Sequence, residues 1–411
     1  MPLRLLIAAI LIPLQVFLFR RFWKWSNTQQ GFPRWLRIPG AVAFALFNAS
    51  LLVISFTGFR GMHPSGTALY MTVYPFLLWH FSTFIIGLLL LVTLALKLPL
   101  KGIWAGVLRI PALRPRAHAI SSHPSVQRFD ATRRTFLRRG MYGLTAASFG
   151  GTAYGMLIER SECELEEMTA LIPGLPPAFS GYAIGLVTDV HSSLYMSATD
   201  MRRYVKILNG MGCDMILVGG DLVNGSGDEI DPFADAFSAL RAPDGIYGVL
   251  GNHDFYSREP ERVASTATEA GVTILRDQAR VLRRGGETLT LLGIDDTGTG
   301  SGATQRIRRA ARAAGTSGPQ ILLCHRPYFF PEAAAEGIDL MLSGHTHGGQ
   351  VVLGQVAGMA FTPAALASPY LAGFYREGRS QMYVSRGIGT VGVPVRINCP
   401  PELTRIVLKP A

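Results

Sequence analysis

The sequence predicts a mixed α/β domain of roughly 250 residues behind an all-α membrane region. Three observations lead there. Long uncharged apolar runs occur only before residue 160, short apolar runs separated by amphipathic segments follow, and several of the short runs end on Asp, Asn or His. The charge divides at the same place: residues 1–160 hold 18 Lys or Arg against Asp130 and Glu159, a net of +16, and the remainder holds 21 against 26, a net of −5. Because the basic part is also the apolar part, its charge reads as membrane topology, and nucleic-acid binding is disfavoured as a function class.

A helix needs about 20 mostly apolar residues to cross the hydrocarbon layer. Residues 1–100 hold three such stretches, near Leu5–Phe19, Ile38–Phe59 and Leu69–Leu96. The first reads as a retained helix, since Arg20, Arg21 and Lys24 follow at once with no small-residue cleavage site. A basic linker, 101–140, carries Thr132-Arg133-Arg134-Thr135-Phe136-Leu137-Arg138-Arg139 ahead of a Gly-diluted apolar segment, 141–158. That run fits a twin-arginine export signal and fits equally a generic arginine anchor at a membrane boundary. Arginine-rich loops after the first and third runs belong in the cytoplasm, and the loop bearing Arg60 alone belongs outside. If 141–158 crosses, everything after Glu159 faces the periplasm of a bacterial cell, making a multi-pass inner-membrane protein.

Residues 159–178, with Ile172-Pro173-Gly174-Leu175-Pro176-Pro177, read as a connector, and 179–411 as the globular domain. Strands are expected at Ile184–Val187, Met215–Val218, Tyr247–Leu250, Leu289–Ile294, Ile321–Leu323 and Leu340–Leu342. Ala198–Leu208, with Ser197 before it and Gly210 after, Pro232–Leu240 and Arg258–Ala270 are the intervening helices. Ala279–Leu282 and Thr288–Leu292 flank a hairpin turn, the tail is strand-rich, and Thr297–Gly302 reads as a mobile loop. Cys163, Cys213, Cys324 and Cys399 form no Cys-x-x-Cys pair and read as buried free thiols.

The chemistry sits at strand ends. Asp189 and His191 close the first strand, two apart and so on one face of an extended chain. Gly219-Gly220-Asp221 follows the second, Gly251-Asn252-His253-Asp254 the third, His325 the fifth and Gly344-His345-Thr346-His347 the sixth. Each motif taken singly is a cap or a satisfied histidine. Five at equivalent places form a metal site, because open α/β sheets gather their ligands beyond the carboxyl ends of strands.

These blocks resemble the calcineurin-like metallophosphoesterase superfamily over roughly residues 172–409, and are similar within it to membrane-associated or twin-arginine-exported bacterial phosphoesterases. The resemblance implies an αββα metallophosphoesterase sandwich with two divalent ions, Mn, Fe or Zn. Asp189, His191 and His347 would hold one, Asn252, His325 and His345 the other, and Asp221 would bridge them. It implies hydrolysis of a phosphoester or pyrophosphate by water activated on the ions, with a lipid-linked ester among the candidates. His253 would act as general acid, with Asp254 orienting its ring or capping the next helix. Arg326 and Arg396 read as structural ion pairs rather than phosphate contacts, Cys324 as core-facing, and Arg306, Arg308, Arg309 and Arg312 as a solvated helix face. The apolar stretch Gly354–Tyr375 reads as hairpin core, or else as an acyl-chain surface. A nuclease of the same superfamily is disfavoured by the −5 charge, and a non-catalytic membrane sensor or scaffold by the complete ligand set.

Overall fold

A computed structural model describes residues 3–28, 33–57, 66–296, 302–315, 318–356 and 359–411. The chain forms two compact units, Met1–Ala153 and Tyr154–Ala411. Its early helices are α1 (Leu3–Thr28), α2 (Arg37–Thr57), α3 (Gly66–Ala68), α4 (Tyr74–Arg109), α5 (Arg114–Ser122) and α6 (Pro124–Leu157), with a π-turn at Leu69–Val73 joining α3 to α4. Three described stretches, Leu5–Thr28, Arg34–Phe56 and Gly66–Arg109, are long and apolar enough to cross a membrane. The last would span about 66 Å at 1.5 Å per residue, twice the hydrocarbon thickness, so its basic end from Lys97 runs past the apolar part. Outward-facing Leu46, Val53, Phe56 and Leu96 are exposed, the reverse of a water-facing helix. One buried polar group inside is paired twice: the Gln15 amide donates to Thr83 Oγ1 at 2.6 Å and accepts from Trp79 Nε1 at 3.3 Å. The segment 141–158 forms most of the second half of α6, and α6 is not among the three apolar stretches.

The second unit contains two six-stranded sheets. Its strands are β1 (Glu164–Ile172), β2 (Ala183–Val187), β3 (Met215–Val218), β4 (Ile246–Gly248), β5 (Thr273–Ile274), β6 (Gln278–Arg284), β7 (Glu287–Gly293), β8 (Gln320–Leu323), β9 (Leu340–Ser343), β10 (Gln355–Val356), β11 (Met359–Ala360), β12 (Gly373–Glu377), β13 (Ser380–Val384) and β14 (Glu402–Pro410). One sheet runs β1-β14-β2-β3-β4-β5 and the other β12-β13-β9-β8-β7-β6, with parallel pairing through β2-β3-β4-β5 and β13-β9-β8-β7.

Period-two alternation builds four layers from these sheets. Ile184, Leu186, Met215 and Leu217 of the first sheet share an inner core with Leu289, Leu291, Ile321, Leu323, Leu340 and Leu342 of the second. Their neighbours face outward. Val187, Ile216 and Val218 pack beneath α7 (Ala198–Gly210), α8 (Ile230–Phe237) and α10 (Pro260–Glu269), on Met201, Leu208, Phe233 and Val263. Leu292, Leu322, Met341 and Met382 pack beneath α11 (Ala303–Ala314) and α12 (Phe330–Ala335), on Ile307, Ala310 and Phe330. The short α9 (Asn252–Tyr256) lies between α8 and α10 in the chain.

The αββα expectation and all six expected strands are present. The connector is different. Residues 159–178 hold β1, which pairs in parallel with β14 from Glu164 against Glu402 to Ile172 against Pro410. The Leu165-Glu166-Glu167-Met168 stretch is too polar and too irregular to announce a strand, because this is an edge strand with one face in solvent. The mobile loop expected at 297–302 lies outside the described residues up to 301.

Candidate metal centre

Five loops at the carboxyl ends of β2, β3, β4, β8 and β9 carry the expected ligands. Nine described non-glycine residues have positive φ, and five of them are Asp189, His191, Asp221, His345 and His347, at 48–72°. Such left-handed conformations cost about 1–2 kcal/mol each in a residue with a Cβ, and their concentration here marks backbone bent to aim side chains. Asp189 and His191 therefore do not project from an extended strand, as their spacing suggests; β2 has already ended at Val187. Two glycines make room. A Cβ on Gly344 would run into Asp189 Oδ2, and one on Gly251 into Asp221 Oδ1.

The donor atoms of Asp189, His191 and His347 lie within 4.8 Å of one another, as do those of Asp221, His325 and His345. Asp221 Oδ2 stands 3.2 Å from His325 Nε2 and 3.5 Å from His191 Nε2, which places it between the two groups. His191 Nε2 and His347 Nε2 are 3.1 Å apart, with Asp189 Oδ1 at 3.6 Å from the latter. His253 joins His191 and Asp221 in a third set with the same spacing. Asn252 Oδ1 and His345 Nδ1 are buried without a hydrogen-bond partner. An unsatisfied buried polar atom costs about 1–3 kcal/mol, a cost that bound cations would remove.

The electrostatics point the same way. Burial pushes the Asp189 carboxyl up to about 6, against the opposing charge of His325. Burial would also raise Asp221, but the adjacent His325 charge outweighs it and holds that carboxyl far below the usual range. Conversely, His325 is raised to about 10, because the charge of Asp221 overcomes its burial. Burial first, then neighbouring positive charge, lowers His345 to about 3, while His191 is brought to about 3 by burial against the pull of Asp221. His347 is lowered well below its ordinary value, again chiefly by burial. The neutral imidazoles of His191, His345 and His347, with buried carboxylates, an amide oxygen and a His325 ring that would give up its proton to a cation, are a donor set of Mn²⁺, Fe or Zn²⁺, so the residues present fit divalent metal.

Sequence reasoning went astray at Asp254. Its carboxylate does not meet the His253 ring; it accepts the backbone N–H of Val223 at 3.0 Å and of Gly251 at 2.8 Å, tying the Asp221 loop to the Asn252 loop. Burial, followed by the charge of Asp221, raises it to about 8. The ring's partner is the carbonyl of Asn224, 2.5 Å from His253 Nδ1. Asn224 itself carried no signal in the sequence, although Ser226-Gly227-Asp228-Glu229 beside it has the pattern of a capping box.

Arg326 forms the expected ion pair, Nε to Asp296 at 2.7 Å. Arg396 does not: fully buried, it donates to the carbonyls of Arg386, Gly387, Gly389 and Cys399. Cys324 faces the core as expected, and all four cysteines are free. Of the arginine run, Arg306 and Arg309 pair with Asp277, and Arg308 with Glu336. The stretch 354–375 is not packed core at its described apolar tips, since Phe361 is 66% and Leu366 94% exposed, beside Leu353 at 64%.

The family model for calcineurin-like phosphoesterases matches residues 182–349. A transmembrane protein with metallophosphoesterase domain from Danio rerio is 30% identical over 268 residues, which are 63% of this chain and 60% of that protein. The metallophosphoesterase YkuE of Bacillus subtilis is 30% identical over 290 residues, 68% of this chain and 98% of YkuE. Phosphodiesterase YaeI of Escherichia coli is 29% identical over 230 residues, 55% and 82% of the two chains. The matched region thus spans 60% of the Danio rerio relative, a little under two thirds, and nearly all of the Bacillus one.

Proposed function

Since the chain belongs to the calcineurin-like metallophosphoesterases, we propose that it is a membrane-tethered, two-metal phosphoesterase. The observation that carries this reading is the gathering of Asp189, His191, Asp221, His325, His345 and His347 into overlapping donor groups, with Asn252 Oδ1 and His345 Nδ1 buried and unpartnered. Asp189, His191 and His347 would hold one ion, Asn252, His325 and His345 the second, and Asp221 would serve both. Divalent ions held there supply positive charge for the phosphoryl oxygens and lower the pKa of the attacking water. The chain does the rest. Asp221 Oδ1 accepts the His253 backbone N–H at 2.8 Å, which fixes the start of α9. With Nδ1–H given to Asn224, His253 presents Nε2 to the site and passes a proton to the leaving oxygen as its bond to phosphorus breaks.

The exposed Leu353, Phe361 and Leu366 favour an ester that carries a lipid over a soluble one. They rise from an uncharged stretch, Gln350–Tyr375, attached to the His347 loop where Thr362 Oγ1 donates to Gly349 O at 3.1 Å. Two buried methylenes contribute about 1.6 kcal/mol, so the full chain in detergent with Mn²⁺ should show a KM for acylated phosphoesters at least about tenfold below that for their soluble counterparts. Equal KM values would remove the lipid reading, and no turnover of any ester would remove the hydrolase.

The membrane side is part of the same proposal: α6 carries the chain outward, by a twin-arginine route or as an arginine-anchored span, so the second unit is extracytoplasmic. A reporter active only outside the cytoplasm, fused after Ala411 in a bacterial host, should be active. An inactive fusion beside an active cytoplasmic reporter would reverse the orientation.

A further inference from the structure

Beyond the ligand shell, one carboxylate has an arrangement that the metal site does not account for. Glu229 Oε2 accepts three consecutive backbone N–H groups, from Asn224 at 2.9 Å, Gly225 at 2.8 Å and Ser226 at 3.0 Å. Gathering three donors on one oxygen fixes the plane of each peptide in the turn. The carbonyl of Asn224 belongs to that turn, and it is the group 2.5 Å from His253 Nδ1. The ring that this carbonyl holds stands edge-on to the His191 ring at 4.6 Å between centroids.

The outer side of the turn is held too. Arg262 joins Asp228 at 2.8 Å, Glu259 at 3.2 Å and Asp231 at 3.2 Å, and Gly227 is pressed against Glu259 so closely that a Cβ would collide with its carboxylate. Gly225 and Ser226, by contrast, are exposed. Without Glu229 their N–H groups would turn to water, and a turn containing two glycines has ample freedom to follow.

We propose that Glu229 is a positioning residue for proton transfer. By clamping residues 224–226 it aims the Asn224 carbonyl at His253 Nδ1–H, which fixes the ring with Nε2 toward the leaving oxygen. It touches neither metal nor substrate. The inference rests on the reading of His253 as proton donor, and a leaving-group comparison separates the two. Esters of simple alcohols need a proton on departure; 4-nitrophenyl esters need much less help.

In the full chain, His253→Gln should lower the alkyl-to-aryl ratio of kcat by about 10²-fold or more. Glu229→Gln, isosteric but presenting an NH₂ to donors, should lower that ratio by about 10-fold or more. Added to His253→Gln, it should lower the ratio no further, since it acts through that ring. Glu229→Asp, which keeps the charge on a shorter arm, should give a smaller change in the same direction and serves if the Gln variant does not fold. A normal ratio in His253→Gln would overturn both readings. A selective His253→Gln with a normal ratio in the Glu229 variants, or with fully additive effects, would overturn the positioning role alone and leave Glu229 a structural cap.

Discussion

Replacing Asp221 by Asn should lower kcat by about 10³-fold or more, a loss of about 4 kcal/mol of transition-state stabilisation, while the chain stays folded. The substitution keeps the shape and keeps Oδ1 as acceptor for the His253 backbone N–H. What changes is Oδ2, the atom 3.2 Å from His325 Nε2 and 3.5 Å from His191 Nε2, where a carboxylate oxygen becomes an NH₂ donor. At a position 1% exposed, that loss of charge is not screened by water. Both ligand groups lose the anion they share, so elemental analysis of the metal-replete variant should find fewer than two ions per chain. An Asp221→Asn protein with two ions and activity within tenfold of the parent would refute the two-metal site. A membrane scaffold acting only by binding would lose nothing measurable in its phenotype.

The second large effect is on stability. Arg396→Met should destabilise the second unit by about 3–5 kcal/mol, since each buried carbonyl left without its donor costs about 1–3 kcal/mol. Arg396 is fully buried and is the donor for four backbone carbonyls, Arg386, Gly387, Gly389 and Cys399. Methionine fills much of the volume but satisfies none of them. The carboxylate of buried Glu159, which accepts the Cys399 N–H at 2.7 Å, loses its nearby positive charge as well. For a unit of this size the melting temperature shifts by about 2–4 °C per kcal/mol, so thermal unfolding should come roughly 6–20 °C earlier.

The loss reaches the metal site. Gly389 N donates to Asp189 O at 2.7 Å, Ile388 N to Thr188 O at 3.1 Å, and Gly387 packs on the Asp189 side chain. Arg396 thus fixes the segment against which Asp189 is seated. Metal affinity should fall with stability in this variant. Unchanged unfolding would show that water replaces the guanidinium at those carbonyls.

Most of the ligand set was legible because its signal is local. Asp189, Asp221, Asn252, His325 and His345 each stand within a few residues of a short apolar run that identifies a buried strand, and parallel strands bring those ends to a common edge. The polar partners were not legible. Asp254 follows His253 directly, and adjacency suggested a contact that the helical start at Asn252 prevents, turning one side chain to the site and the other to Val223 and Gly251. Arg396 lies in a tail without periodicity, and its carbonyl partners carry no residue code.

From the amino-acid order alone come the three membrane-length helices, six strands of the sandwich and the residues gathered at the candidate metal centre, since apolar runs and residue chemistry are properties of short stretches. Only the tertiary structure decides that Glu164–Ile172 is an edge strand beside β14, that five donors sit in left-handed backbone, and that His253 leans on Asn224. Those features depend on hydrogen bonds between backbone groups far apart in the chain, and a backbone carbonyl is the same chemical group whatever side chain it bears.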